Sequence, residues 1–137
     1  MTFGVVANGA APFSMVKTKG SLMRKSYRVK SEQEFQRVFD AHQSVANHKF
    51  IIYTLAKPGQ KHFRVGISVG KKIGKAVDRV WVKRRIRQTL LEEKPFLKPD
   101  VDFLVIARPQ AAGLSMADIK KNLVHALHLA HLLQKTE

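Results

Sequence analysis

The first regular pattern of apolar and polar positions begins at Ser31. In "SEQEFQRVFDAH", Phe35, Val38 and Phe39 recur at intervals of three and four, so they share one face of a helix of about three turns. Ser31 stands three residues before Glu34, the spacing of a capping box. "SVANHKFIIYTLAK" and "HFRVGISVG" are rich in β-branched and aromatic residues and flank "KPGQK", whose Pro-Gly pair marks a turn. They read as antiparallel strands, the first divided near Asn47. The stretch from Gly70 to Glu93 then reads as a second helix, ended at Lys94-Pro95 because proline disfavours a helical residue before it. Along it Val82, Ile86 and Leu90 fall on one line, the side that meets a sheet, while Arg84, Arg87 and Gln88 fall opposite, alongside position 80. "VDFLVIAR" is a short, strongly apolar strand closed by Pro109, and "SMADIKKNLVHALHLAHLLQK" is a long helix with Ser115 and Asp118 in cap positions.

The order αβββαβα sets a helix between two strands able to pair in parallel. The expected fold class is α/β in the broad sense, an α+β-type sandwich with a small mixed sheet packed with helices. Residues 1–22 are rich in Gly and Ala, lack periodicity and are expected to be a disordered N-terminal extension, with Met23 a candidate start. Their positive charge, Lys17 and Lys19, follows the apolar stretch, which is the wrong order for a secretory signal. Residues 23–137 are expected to form a single domain.

Charge changes this ordinary picture. The 137 residues carry 25 Lys plus Arg against 10 Asp plus Glu, a formal net charge of +15. Self-repulsion of that size calls for a polyanionic partner, nucleic acid or an anionic membrane. No apolar run spans a bilayer, and the basic residues do not lie opposite one long apolar face as in a membrane-surface helix. Nucleic acid is the better match. The charge is concentrated between Lys71 and Arg87, where eight basic residues meet one acidic residue. Lys71, Lys72 and Lys75 stand at or before the helix N-terminus, where free N–H groups and the helix dipole attract anions. A solvated charged face is the bland alternative, but it lacks internal partners.

Aromatic residues turn a basic surface into a reader of single strands. Phe35, Phe39 and Tyr53 are candidates for such a surface, but from periodicity alone the core is the stronger reading for them. Trp81 either stacks on a base or packs on a neighbouring loop. Catalytic chemistry is poorly represented. There is no cysteine, which excludes thiolate sites and fits a reducing, cytoplasmic setting. His125, His128 and His131 are spaced by three, which fans them around a helix, whereas a metal pair prefers a spacing of four. "GISVGKKIG" lacks the phosphate-loop pattern, and the carboxylates are scattered. No metal site, no catalytic residue and no obligatory protein partner is expected of the polypeptide.

From about Met23 to Lys135 the chain resembles the protein component of bacterial ribonuclease P. The resemblance is carried by "FQRVF", "SVAN" followed by "FIIYTLAKP", "FRVGISVGKKIGKAV", "KRRIRQ" and "DFLVIARP", in that order. It implies a subunit of an endoribonuclease in which the RNA, with bound Mg2+, removes the 5′ leader of precursor tRNA. The protein's partners would be that catalytic RNA and the leader. It also implies a left-handed strand–helix–strand crossover, against the usual hand. Carried over by position, Arg79, Lys83, Arg84, Arg87 and Lys75 would contact the catalytic RNA. Phe35, Phe39 and Tyr53 would line the leader cleft, with Lys71 and Lys72 at its margin. The family usually has Arg-Asn-Arg where this chain has Arg79-Val80-Trp81, so the hydrogen-bonding pair at 80 and 81 is missing. Two other readings remain: a general RNA- or ribosome-associated basic protein, and a protein-only nuclease, which would need carboxylates or histidines converging on a metal.

Overall fold

The computed structural model describes residues 27–29 and 31–134, so the expected extension over residues 1–22 lies outside the described residues. The chain runs α1 (Glu32–Asp40), β1 (Ser44–Ala46), β2 (Phe50–Ala56), β3 (Arg64–Val69), α2 (Ala76–Glu93), β4 (Val101–Ala107) and α3 (Met116–Leu129), with short 3-10 turns at Lys71–Ile73, Lys94–Phe96 and Pro109–Ala111. This is the αβββαβα order the sequence predicts. The four strands form one mixed sheet in the order β1-β2-β4-β3. β4 is antiparallel to β2 and parallel to β3, with α2 as the crossover between the parallel pair.

The Pro-Gly turn forms as expected, Gln60 N–H donating to the Lys57 carbonyl at 3.1 Å with Gly59 at φ 84. The strands it joins run in opposite directions but are not neighbours, because β4 lies between them. The reason is in β4 itself. All seven of its residues are buried, and a strand apolar on both faces apart from Asp102 is satisfied only at the centre of a sheet covered on both sides.

Strand alternation divides the interior into two layers. Phe50, Ile52, Val65, Phe103 and Val105 point to the face covered by α2 and α3, where Val82, Ile86, Leu90, Ile119, Leu123 and Leu127 complete the larger core. Ile51, Tyr53, Leu104 and Ile106 point to the other face, covered by α1 through Phe35, Val38 and Phe39. Ser31 caps α1, its hydroxyl accepting from Glu34 N–H at 3.1 Å. The Glu34 carboxylate is used in tertiary structure and accepts from Arg64 Nη1 at 2.8 Å. Arg64 also forks onto Asp102, with contacts of 3.0 and 2.6 Å. Asp102 is fully buried on β4, and the Asp102 hydrogen bond in particular raises the Arg64 pKa.

Asn47 divides β1 from β2, as expected, and fixes a helix as well. Its Oδ1 accepts from the N–H groups of Lys49 and Phe50, and its Nδ2 donates to the Asn122 carbonyl of α3 at 2.8 Å. The last helix is shorter than its apolar pattern suggests. His131 adopts φ 58, His131 N–H donates to His128 O, and Leu132 N–H reaches back to Leu127 O at 3.1 Å. This is a Schellman stop with histidine in the usual glycine position. Reversal here buries Leu132 and Leu133 in the larger core, which a straight helix would not do.

Candidate nucleic-acid interface

The start of α2 is built by its own sequence. β3 ends at Val69, and Gly70 leads into the turn Lys71–Ile73, whose buried Ile73 anchors it to the core. Gly74 has φ 150, and a Cβ there would meet Asp78 Oδ2 at 2.7 Å, so only glycine fits without strain. Asp78 Oδ2 accepts the Lys75 N–H at 3.0 Å and caps the helix. Lys71, Lys72 and Lys75 are left exposed at this end, where β3 and β4 both finish. Arg108 joins them, its backbone N–H bonded to Lys49 O and its guanidinium to Asn47 O at 3.2 Å. Sequence reading passed over Arg108 because strand register, not local pattern, brings it there.

Along α2 the Val82, Ile86 and Leu90 stripe is buried as expected. Arg84 stands on the exposed side. Arg87 does not: it is 7% exposed, and Lys83 is 8% exposed. At 100° per residue both lie on the flank between the buried stripe and the outer crest, a position that a simple two-sided wheel assigns wrongly. Burial pushes the Lys83 pKa down, and the neighbouring charges of Arg87 and Arg79 push it further. Arg87 is likewise lowered, first by burial and then by Arg28 and Arg84. Arg28, which the sequence did not single out, is brought close by an isolated parallel bridge to Val65 at the β3 edge. Arg79, Lys83, Arg84 and Arg85 take part in no ion pair among the described residues. Instead, two carboxylates bind Arg64, and Glu92 pairs with Lys120 on α3 at 2.6 Å. The flank is therefore a concentration of half-desolvated positive charge.

On the opposite face of the sheet, Phe39 and Tyr53 pack with ring centroids 4.8 Å apart. Burial raises the Tyr53 pKa. Phe35 is 1% exposed, and a Cβ on Gly66 would land on its ring. It supports this layer from inside and presents no face to a ligand as it stands. Phe39 and Tyr53 are almost as buried. In register, the row Ala46, Ile51, Ile106 and Ser68 adjoins them on the side toward the basic end. Trp81 is 39% exposed, with the Arg85 guanidinium carbon 5.0 Å from its ring centroid. Val80 is half-buried on the same helix.

Among the described residues no three His, Asp or Glu side chains are grouped to hold a metal ion. His125 Nδ1 lies 3.2 Å from Asn47 Nδ2, and His131 lies in the Schellman stop. No described helix is long and apolar enough to cross a membrane.

Comparison with known proteins agrees with this architecture. A family model described as Ribonuclease P matches residues 23–131. The ribonuclease P protein component of Limosilactobacillus reuteri is 75% identical over 113 residues, covering 82% of this chain and 97% of that protein. The same component from Levilactobacillus brevis is 69% identical over 111 residues, covering 81% of this chain and 94% of its own. Among solved structures, the Staphylococcus aureus RNase P protein superposes with a TM-score of 0.75 at 39% identity, covering 80% of this chain and 99% of that one. The Thermotoga maritima RNase P protein, 24% identical with a TM-score of 0.67, shares the fold over 80% of this chain and 97% of its own. With the family model spanning nearly all of the described residues and such relatives matched almost end to end, the chain belongs to the ribonuclease P protein family.

Proposed function

We propose that this protein is the RNA-binding subunit of a ribonuclease P holoenzyme and assists a catalytic RNA in removing the 5′ leader from precursor tRNA. The observation that carries the reading is the α2 flank, where Arg79, Lys83 and Arg84 stand together without acidic partners among the described residues. Holding like charges together against their repulsion makes sense when phosphates complete the site. Arg79, Lys83, Arg84, Arg87 and Lys75 then face the catalytic RNA. The leader runs over the α1 face of the sheet toward Lys71 and Lys72, past the edges of Phe39 and Tyr53, with Phe35 stiffening the layer beneath. Chemistry stays with the RNA, which holds the divalent metal, Mg2+. The protein lowers the metal demand by neutralising phosphate charge and favours leader-bearing substrates by binding the leader.

The test is precursor tRNA cleavage by the RNA alone, the protein alone and both together, at low and at saturating magnesium. Cleavage at low magnesium only by the pair is the expected result. Cleavage by RNA-free protein would establish a nuclease instead. Equal affinity of the holoenzyme for precursor and mature tRNA would reduce the protein to a general RNA binder.

A further inference from the structure

The outer crest of α2 carries a feature that its charge does not explain. Val77 is 74% exposed and Trp81 39% exposed, and their spacing of four sets one above the other on the helix surface. One turn further on, the Arg85 guanidinium lies against the indole at 5.0 Å from the ring centroid, within cation-π range. Arg84 is exposed beside them. With 39% of its surface exposed, Trp81 offers part of an aromatic ring to a partner, and that partner must tolerate a guanidinium at its edge and strong positive charge all round. A protein of similar charge would be repelled, and an apolar protein patch would gain little from a platform one ring wide. A nucleobase fits: it is flat, has a π-face of indole size and is covalently attached to anionic phosphates.

We propose that Trp81, steadied by Arg85, is a stacking platform for one unpaired base of the RNA that docks on α2, with Arg84 and Arg85 neutralising the adjoining phosphates. The inference rests on the RNA-binding reading above and adds to it a contact mode, a residue and a class of RNA feature. Bases within a duplex hide their faces, so the target is a bulge, a loop or an extruded nucleotide. Because stacking releases no counterion, it adds affinity that salt does not remove.

The chain has a single tryptophan, so its emission reports this site alone. The full-length protein is titrated with the catalytic RNA of its own holoenzyme. Quenching that saturates in step with binding measured on filters is expected. Trp81→Ala should weaken binding by roughly 5- to 150-fold and leave the log–log salt slope and the folded circular dichroism spectrum unchanged, while Trp81→Phe restores part of the loss. Affinity of Trp81→Ala within twofold of wild type, with no change of wild-type emission at saturation, overturns the proposal while leaving the RNA-binding reading intact. So does restoration by Trp81→Lys with a steeper salt slope, which would mean that charge and not stacking matters. Wild-type protein that binds no RNA overturns both readings together. Trp81-dependent self-association by sedimentation, with RNA affinity unaffected, assigns the patch to a second copy of the chain and also sinks the proposal.

Discussion

Lys83 offers the sharpest test of the idea that α2 stores electrostatic cost for use against RNA. Lys83 is 8% exposed as a residue, its pKa is lowered first by burial and then by Arg87 and Arg79, and no carboxylate pairs with it among the described residues. Lys83→Met keeps the length and packing of the stem and deletes the charge. Relief of the buried cation should stabilise the free protein by about 0.5–2 kcal/mol, the range typical of corrected charge placement. For a domain of this size that raises Tm by about 4 °C per kcal/mol. Binding to the RNA should move the other way. Losing one duplex phosphate contact lowers the log–log salt slope by about 0.9, which at 0.1 M salt is roughly eightfold in affinity. The pH dependence has a defined sign. As pH rises, the folded chain releases the Lys83 proton before the unfolded chain does. Between the lowered folded value and the ordinary value of 10.5 the unfolded state holds more protons, so wild-type stability increases with pH across that window. Tyr53, with a raised pKa, opposes this trend above pH 10, so the comparison is confined below it. In Lys83→Met the increase should shrink. Thermal unfolding by circular dichroism at low ionic strength and filter binding across a salt series provide the measurements. A lower Tm for the variant, or an unchanged salt slope, refutes the reasoning.

Two further outcomes follow from the packing. Arg64→Met should destabilise by up to about 3–5 kcal/mol, because it leaves the buried Asp102 carboxylate with Lys57, 4.0 Å away, in place of its forked partner; Asp102→Asn in the same background should recover much of the loss in denaturant titrations, and no recovery would mean that the cost lies elsewhere. Gly66→Ala should cost about 1–3 kcal/mol through overpacking on Phe35 and Leu104, and by lifting α1 it should impair cleavage of leader-bearing precursor more than binding to the catalytic RNA, as seen by comparing KM for precursor with the affinity for RNA.

Local pattern was a good guide wherever a segment's neighbours were its own residues. The spacing of Phe35, Val38 and Phe39, the Ser31 and Ser115 caps, the turn at Pro58-Gly59 and the stop after Glu93 all depend on groups within a few residues and formed, although Glu34 turns to Arg64 instead of closing the capping box. The sequence was silent on position in the sheet. Nothing within β2 or β3 states that a strand arriving some thirty residues later will separate them; only the need to cover both faces of β4 decides it.

The same division holds for the interface. Composition alone pointed to a polyanionic partner, since 25 cations against 10 anions cannot be balanced within one chain. Which cations act together was a tertiary matter. Arg28 enters the cluster through a bridge to the sheet edge, Arg108 joins the lysine-rich end through strand register, and Arg87 leaves the outer crest for a buried flank. Charge is a sum over residues and survives any rearrangement of the chain. Electrostatic potential depends on distance and desolvation, and these exist only once the sheet has set the helix in place.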